Sequence, residues 1–234
     1  PAICDACDCH DTCDLTVGYL TFVRAIAYSC DGRLVPCPGN RNSATVTHAS
    51  GIRTDAQECC WHCRNADLRH VEADRGDYVL HARGDIRIDG FRLNGNYSFQ
   101  YCRNVVIRHA EIHSKDAFWN TENVIVYDSV LDGEYLGWHS KNLRLVNCRI
   151  SGTQPLCYAE NLVLENCTFA EDADLCFEYS SVQAGIKGVV PSVRNPRSGR
   201  IVADGYGEII LDAHCKAPGN CSIETRNVQP GEAA

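Results

Sequence analysis

The sequence predicts an all-β chain folded as a single-stranded right-handed parallel β-helix, a solenoid with coils of about 19 residues. A nine-residue unit recurs at Asn65, Asp85, Asn104, Asn123, Asn142 and Asn161, with starts 20, 19, 19, 19 and 19 residues apart. Inside each unit apolar and polar residues alternate, which is strand periodicity, and helical spacing is absent. The opening residue is Asn in every copy but one, so stacked coils would bring like amides together about 4.8 Å apart. One such unit cannot bury its own apolar face, and the copies must stack. Leucine-rich repeats share this period, but their Leu-x-x-Leu-x-Leu signature is missing, and a left-handed β-helix would need hexads.

Residues 1–56 form a Cys-rich segment without the unit. One reading is a cap in which LTVGYLTFVRAIAY covers the open end of the solenoid, since terminal coils otherwise expose unpaired strand edges. The other is an altered reading frame upstream of the repeats. The chain contains no Met, even at position 1, as a processed product or a fragment would show.

The solenoid is expected over 57–214, in seven or eight coils. The residue after each opening Asn or Asp is Ala66, Ile86, Val105, Val124, Leu143 or Leu162, and two further on stand Leu68, Ile88, Ile107, Val126, Leu145 and Leu164. The small position (Val71, Phe91, Ala110, Ser129, Cys148, Cys167) and the closing one (Ala73, Leu93, Ile112, Leu131, Ile150, Phe169) complete four apolar files. The Asn file becomes an amide ladder. A shorter ladder, Asp128, Asn147 and Asn166, falls at the bend between the apolar pairs, where Asn and Asp tolerate left-handed backbone. His70 and His109 share that bend with Gly90 and read as corner residues.

The second half of each coil is aromatic: ECCWHC, DYVLHA, NYSFQYC, DAFWNT, EYLGWHS, QPLCYA and DLCFEYS. Each run precedes the next Asn by a constant distance, which predicts a further sheet, with apolar residues on both parities of the strand. Beyond Ser180 the pattern loosens through GRIVAD and GEIILD, and residues 215–234 read as a polar tail.

Net charge is −8 and the 18 Arg and 4 Lys form no basic run, which argues against nucleic acid. No apolar run approaches the roughly 20 residues that would cross a bilayer, so no membrane partner is expected. Nine of the 16 Cys precede residue 64. The later ones sit at repeat positions where other coils carry Ala, Ser or Val, and read as buried thiols in a reducing cytoplasm.

Candidate chemistry lies in two places. Cys4, Cys7, Cys9, His10 and Cys13 spell C-x-x-C-x-C-H-x-x-C, a zinc half-site in spacing, against the plainer reading of an unstructured end. On the aromatic runs, Tyr97, Trp119, Tyr135, Trp138 and Tyr158 would form a stripe that stacks sugar rings, with Asp116, Glu134, His139 and Glu178 as catalytic candidates. Asp116 would lie between Tyr97 and Tyr135, and Lys115, one coil before Glu134, would pair with it. Two carboxyls one or two coils apart meet the roughly 5–9.5 Å spacing of glycoside cleavage. Any acidic solenoid produces such pairs, so the plainer reading is a solvated face, with the two Trp as packing residues. No cofactor is expected.

NGNYSF, SKDAFWN, GEYLGWHSKN, CYAENLVLENC, FEYS and NPRSG, within about Gln57 to His214, resemble an uncharacterised bacterial family known only as a domain of unknown function. The resemblance implies a right-handed parallel β-helix of the pectin-lyase-like class and carries over no activity and no catalytic residue. Residues 1 to about 55 depart from it. Two functions follow as expectations: a protein that binds or processes a glycan along the stripe, or a non-enzymatic scaffold offering a β face to a partner.

Overall fold

The computed structural model describes residues 66–81 and 84–226 in full and, before them, the strand paths 17–22, 26–28, 34–36, 44–54 and 63–64. Strands β1 (Val17–Phe22), β2 (Ile26–Tyr28), β3 (Leu34–Pro36), β4 (Ala44–Thr54) and β5 (Cys63–Arg64) precede the regular coils. The coils run through β6 (Ala66–Asp74), β7 (Gly84–Asn94), β8 (Arg103–Arg108), β9 (Glu111–His113), β10 (Glu122–Tyr127), β11 (Val130–Asp132), β12 (Lys141–Val146), β13 (Arg149–Ser151) and β14 (Leu162–Phe169). They close with β15 (Ser181–Ile186), β16 (Val189–Arg194), β17 (Ser198–Ala203), β18 (Gly205–Ile210) and β19 (Cys221–Thr225).

The chain is a parallel β-solenoid of about 8 turns. Its first sheet stacks β4, β6, β7, β8, β10, β12, β14, β15, β17 and β19, every pair parallel. In register, Val105 lies beside Val124 and Val124 beside Leu143, the 19-residue step read from sequence. A second sheet stacks the end of β7 with β9, β11, β13 and the end of β14. Two segments outside the expected solenoid join it: β4 pairs β6, and β19 pairs β17 from within the region read as a tail.

Side chains hold the corners. Asn104 Nδ2 donates to Asp85 Oδ1 (3.1 Å), Asn123 to Asn104 (3.2 Å), Asn142 to Asn123 (2.8 Å) and Asn161 to Asn142 (3.1 Å). All five residues have φ between 54° and 61°, so the residue that bonds along the axis also makes the bend. At the next corner His70, Gly90, His109, Asp128, Asn147 and Asn166 all have positive φ, and Asn147 Nδ2 reaches Asp128 Oδ1 at 2.9 Å. The four expected files are buried throughout, the polar Ser129 included, except at Phe169, which is partly buried against the core. Cys102, Cys148, Cys157, Cys167 and Cys176 are buried free thiols.

The third side is not the strand that the aromatic runs suggested. Residues 97–101, 116–120, 135–139 and 154–158 are turns in which every second residue is left-handed: Tyr97, Phe99 and Tyr101, then Asp116, Phe118 and Asn120, then Tyr135, Gly137 and His139. Hydrogen bonds still run from coil to coil, from Asp116 N to Glu134 O (2.8 Å) and from Phe118 N to Ser98 O (3.0 Å). Alternating left-handed residues break the in-out alternation of a strand. Two consecutive files then face inward: Val79, Ser98, Ala117, Leu136, and beside them Leu80, Phe99, Phe118 and Leu156, all buried. Phe99 stacks on Phe118 with centroids 4.9 Å apart. Gly137 stands in that second file at φ 68°, like Phe118 and Leu156 beside it, and a Cβ there would press to 2.9 Å on Leu143 and Leu156.

Candidate functional site

With two files turned inward, the flanking residues of each aromatic run point outward. Trp119, Tyr135, Trp138, Tyr158 and Tyr179 are all half-buried, and His139 is exposed. Their rings touch in sequence along the axis: Trp119 to Trp138 at 5.3 Å, Trp138 to Tyr158 at 5.0 Å and Tyr158 to Tyr179 at 5.4 Å between centroids. Tyr135 stands edge-on to Trp138 at 5.1 Å, and His139 stacks on Tyr158 at 4.9 Å with planes 22° apart. Trp138 is the hub of the group, and its indole N–H donates to the Gln154 carbonyl at 2.7 Å, which fixes the ring. Tyr97 stands apart from these contacts, stacked instead on Tyr78 at 4.8 Å.

The acids divide. Lys115 Nζ lies 3.4 Å from Glu134 Oε2, the pairing expected from their one-coil separation. Asp116 is only 9% exposed, and burial, with Glu134 adding to it, pushes its carboxyl above the usual range while Lys115 pulls the other way. Glu178 is also buried but is engaged by Arg194 Nε at 3.1 Å, and Arg194 reaches on to Asp212 at 3.6 Å. Three coils separate Asp116 from Glu178, about 14 Å along the axis at about 4.8 Å per coil. Asp116 and Glu134, on adjacent coils, are the two candidate acids that the fold brings together, whereas His139 packs as a ring in the aromatic group.

The proposed zinc ligands Cys4, Cys7, Cys9, His10 and Cys13 lie outside the described residues. Among the described residues no group of three or more His, Cys, Asp or Glu is placed to hold a metal ion.

Two features were not anticipated from sequence. His113 Nδ1 lies 2.8 Å from Asp132 Oδ2 and Nε2 lies 2.9 Å from Glu111 Oε1, so the protonated ring donates to both carboxylates, and Ser151 Oγ donates to the other Asp132 oxygen at 2.6 Å. These hydrogen bonds with Glu111 and Asp132 raise the His113 pKa. The Ser hydroxyl meets Asp132 and not the imidazole, so the trio ties coils together and does not activate a nucleophile. The second feature is a shallow groove on the outer face of the first sheet. One section of about 520 Å³ lies over Asp85, Arg87, Asn104, Val106, Asn123 and Ile125. A section of about 390 Å³ continues from Asn123 and Ile125 over Asn142, Arg144, Asn161 and Val163. Its signal in the sequence was apolar Val106, Ile125 and Val163 at outward strand positions.

A family model described as "Protein of unknown function (DUF3737)" matches residues 38–224. The chain belongs to that family. The DUF3737 match starts upstream of the first regular coil and takes in β4, in keeping with the pairing of β4 on β6. No curated protein and no solved structure matches the chain.

Proposed function

We propose that this chain binds carbohydrate along the third side of the solenoid. The observation that carries the reading is the continuous outward group of Trp119, Tyr135, Trp138, His139, Tyr158 and Tyr179, edged by Asp116 and Glu134. Half-exposed rings keep apolar surface in water, which is costly unless something covers it. Sugar rings offer C–H faces to aromatic rings and hydroxyls to carboxylates, so a glycan lying along the axis satisfies both. The bond from Trp138 to Gln154 holds the hub ring before any ligand arrives, which lowers the ordering cost of binding. The groove on the first sheet supports this less well, because its wall amides already bond one another and Arg144 is taken by Glu165 at 2.6 Å.

Trp119→Ala tests the reading better than a change at Trp138, whose removal would also free the Gln154 carbonyl. On an oligosaccharide array the native chain should retain at least one glycan, and Trp119→Ala should weaken retention roughly tenfold. An array that retains nothing with the folded chain would end the proposal. Release of reducing ends from the retained glycan, and its loss in Asp116→Asn or Glu134→Gln, would extend binding to cleavage.

A further inference from the structure

The file containing Tyr97 has a gap. Tyr78 and Tyr97 stack on successive coils with planes 20° apart, the next coil places Asp116 in the same file, and Tyr135 follows. Tyr97 and Tyr135 are therefore two coils, or about 9.6 Å, apart. The shorter Asp116 leaves a notch with tyrosines on both sides and a carboxyl at its base. That carboxyl belongs to a residue 91% buried by its 9% exposure, and among the described residues it accepts no side-chain hydrogen bond and forms no ion pair. Its neighbouring ammonium, on Lys115, is bonded to Glu134. The Asp116 oxygens are not sealed from solvent, and a ligand cation beside them would meet a negative charge that Lys115 offsets only in part.

The rings favour the same ligand. A cation is attracted to an aromatic face within about 6 Å of the ring centroid, and a group midway between the two coils would lie about 4.8 Å from each tyrosine's coil. The Lys115 ammonium already sits 5.3 Å from the Tyr135 centroid, so this ring accepts a cation in the structure as it stands.

We propose that the notch at Asp116 is a subsite for an ammonium group, so that the glycan held by the stripe is an amino sugar with free amines. The proposal rests on the carbohydrate reading above and names its substrate class. Hexamers of glucosamine, N-acetylglucosamine and glucose, titrated calorimetrically at a mildly acidic pH that keeps the sugar amine protonated, separate the two claims. The glucosamine hexamer should bind roughly tenfold more tightly than the acetylated one. Asp116→Asn should erase that difference, read as the ratio of the glucosamine to the N-acetylglucosamine affinity, with circular dichroism confirming the fold. Binding of the glucose or acetylated hexamer with no amine preference, or a preference that survives in Asp116→Asn, overturns the subsite and leaves the stripe standing. Binding of none of the three overturns both.

Discussion

Asn123 does two jobs with one side chain. It accepts from Asn142 at 2.8 Å and donates to Asn104 at 3.2 Å, and its φ of 57° turns the corner of the coil. Replacing it separates the two. Asn123→Ala loses the ladder and puts at positive φ a residue without the tolerance of Asn for it, about 2–3 kcal/mol together, whereas Asn123→Gly loses chiefly the ladder, about 1 kcal/mol, in urea unfolding. His113 provides a pH signature. Its folded pKa is raised above the ordinary 6.5 by Glu111 and then Asp132, so its contribution to stability is complete below about 6.5 and is lost as pH rises through the raised value. Glu111 and Asp132 are lowered from 4.5 and 3.8, Glu111 foremost by His113 and Asp132 by Ser151 and His113, and their contribution is lost as pH falls below those values. The cluster is therefore most stabilising between about pH 4.5 and 6.5, and His113→Gln should flatten the fall in melting temperature above that window. A native profile that shows no such fall would contradict the clamp. The amide file was legible because one residue type returns at one spacing; the His113 trio was not, because its file mixes His, Asp and Ser and only the folded coil brings them into line.

The third side shows why a sequence pattern can locate an element and misread its backbone. The aromatic runs returned on schedule, but the alternation that identifies a strand fails at Ala117-Phe118 and again at Trp119, with apolar residues on both parities. Left-handed φ at Asp116, Phe118 and Asn120 resolves this, since it lets Ala117 and Phe118 both face the core and leaves Trp119 outside. Asp116 and Asn120 are types that tolerate a left-handed backbone, but Phe118 between them gives no such signal, and the alternation with it could not be read. Two substitutions on adjacent residues test the assignment. Phe118→Ala opens a cavity beneath Phe99 and should cost about 3–5 kcal/mol, while Trp119→Ala, half-exposed, should cost about 1–2 kcal/mol in the same urea titration. Equal losses would mean that the two residues are not on opposite sides of the wall.

For the molecule as a whole, the solenoid converts one chain period into vertical files, and the surface follows from which residues those files expose. The period, the core files and the Lys115–Glu134 pair could be read directly from the chain, because they depend only on a step of 19 residues. The capture of Glu178 by Arg194 could not, because Arg194 belongs to the looser coils where the spacing drifts. What remains outside is a band of rings crossing the Trp119, Trp138, Tyr158 and Tyr179 coils, long enough for several sugar units. The most direct measurement is a two-dimensional ¹⁵N NMR titration that follows the indole N–H signals, assigned with Trp119→Phe and Trp138→Phe, as an oligosaccharide retained on the array is added. Both signals should move together and saturate at a common ligand concentration. A ligand that saturates while the Trp119 and Trp138 signals stay in place would contradict the proposed binding surface.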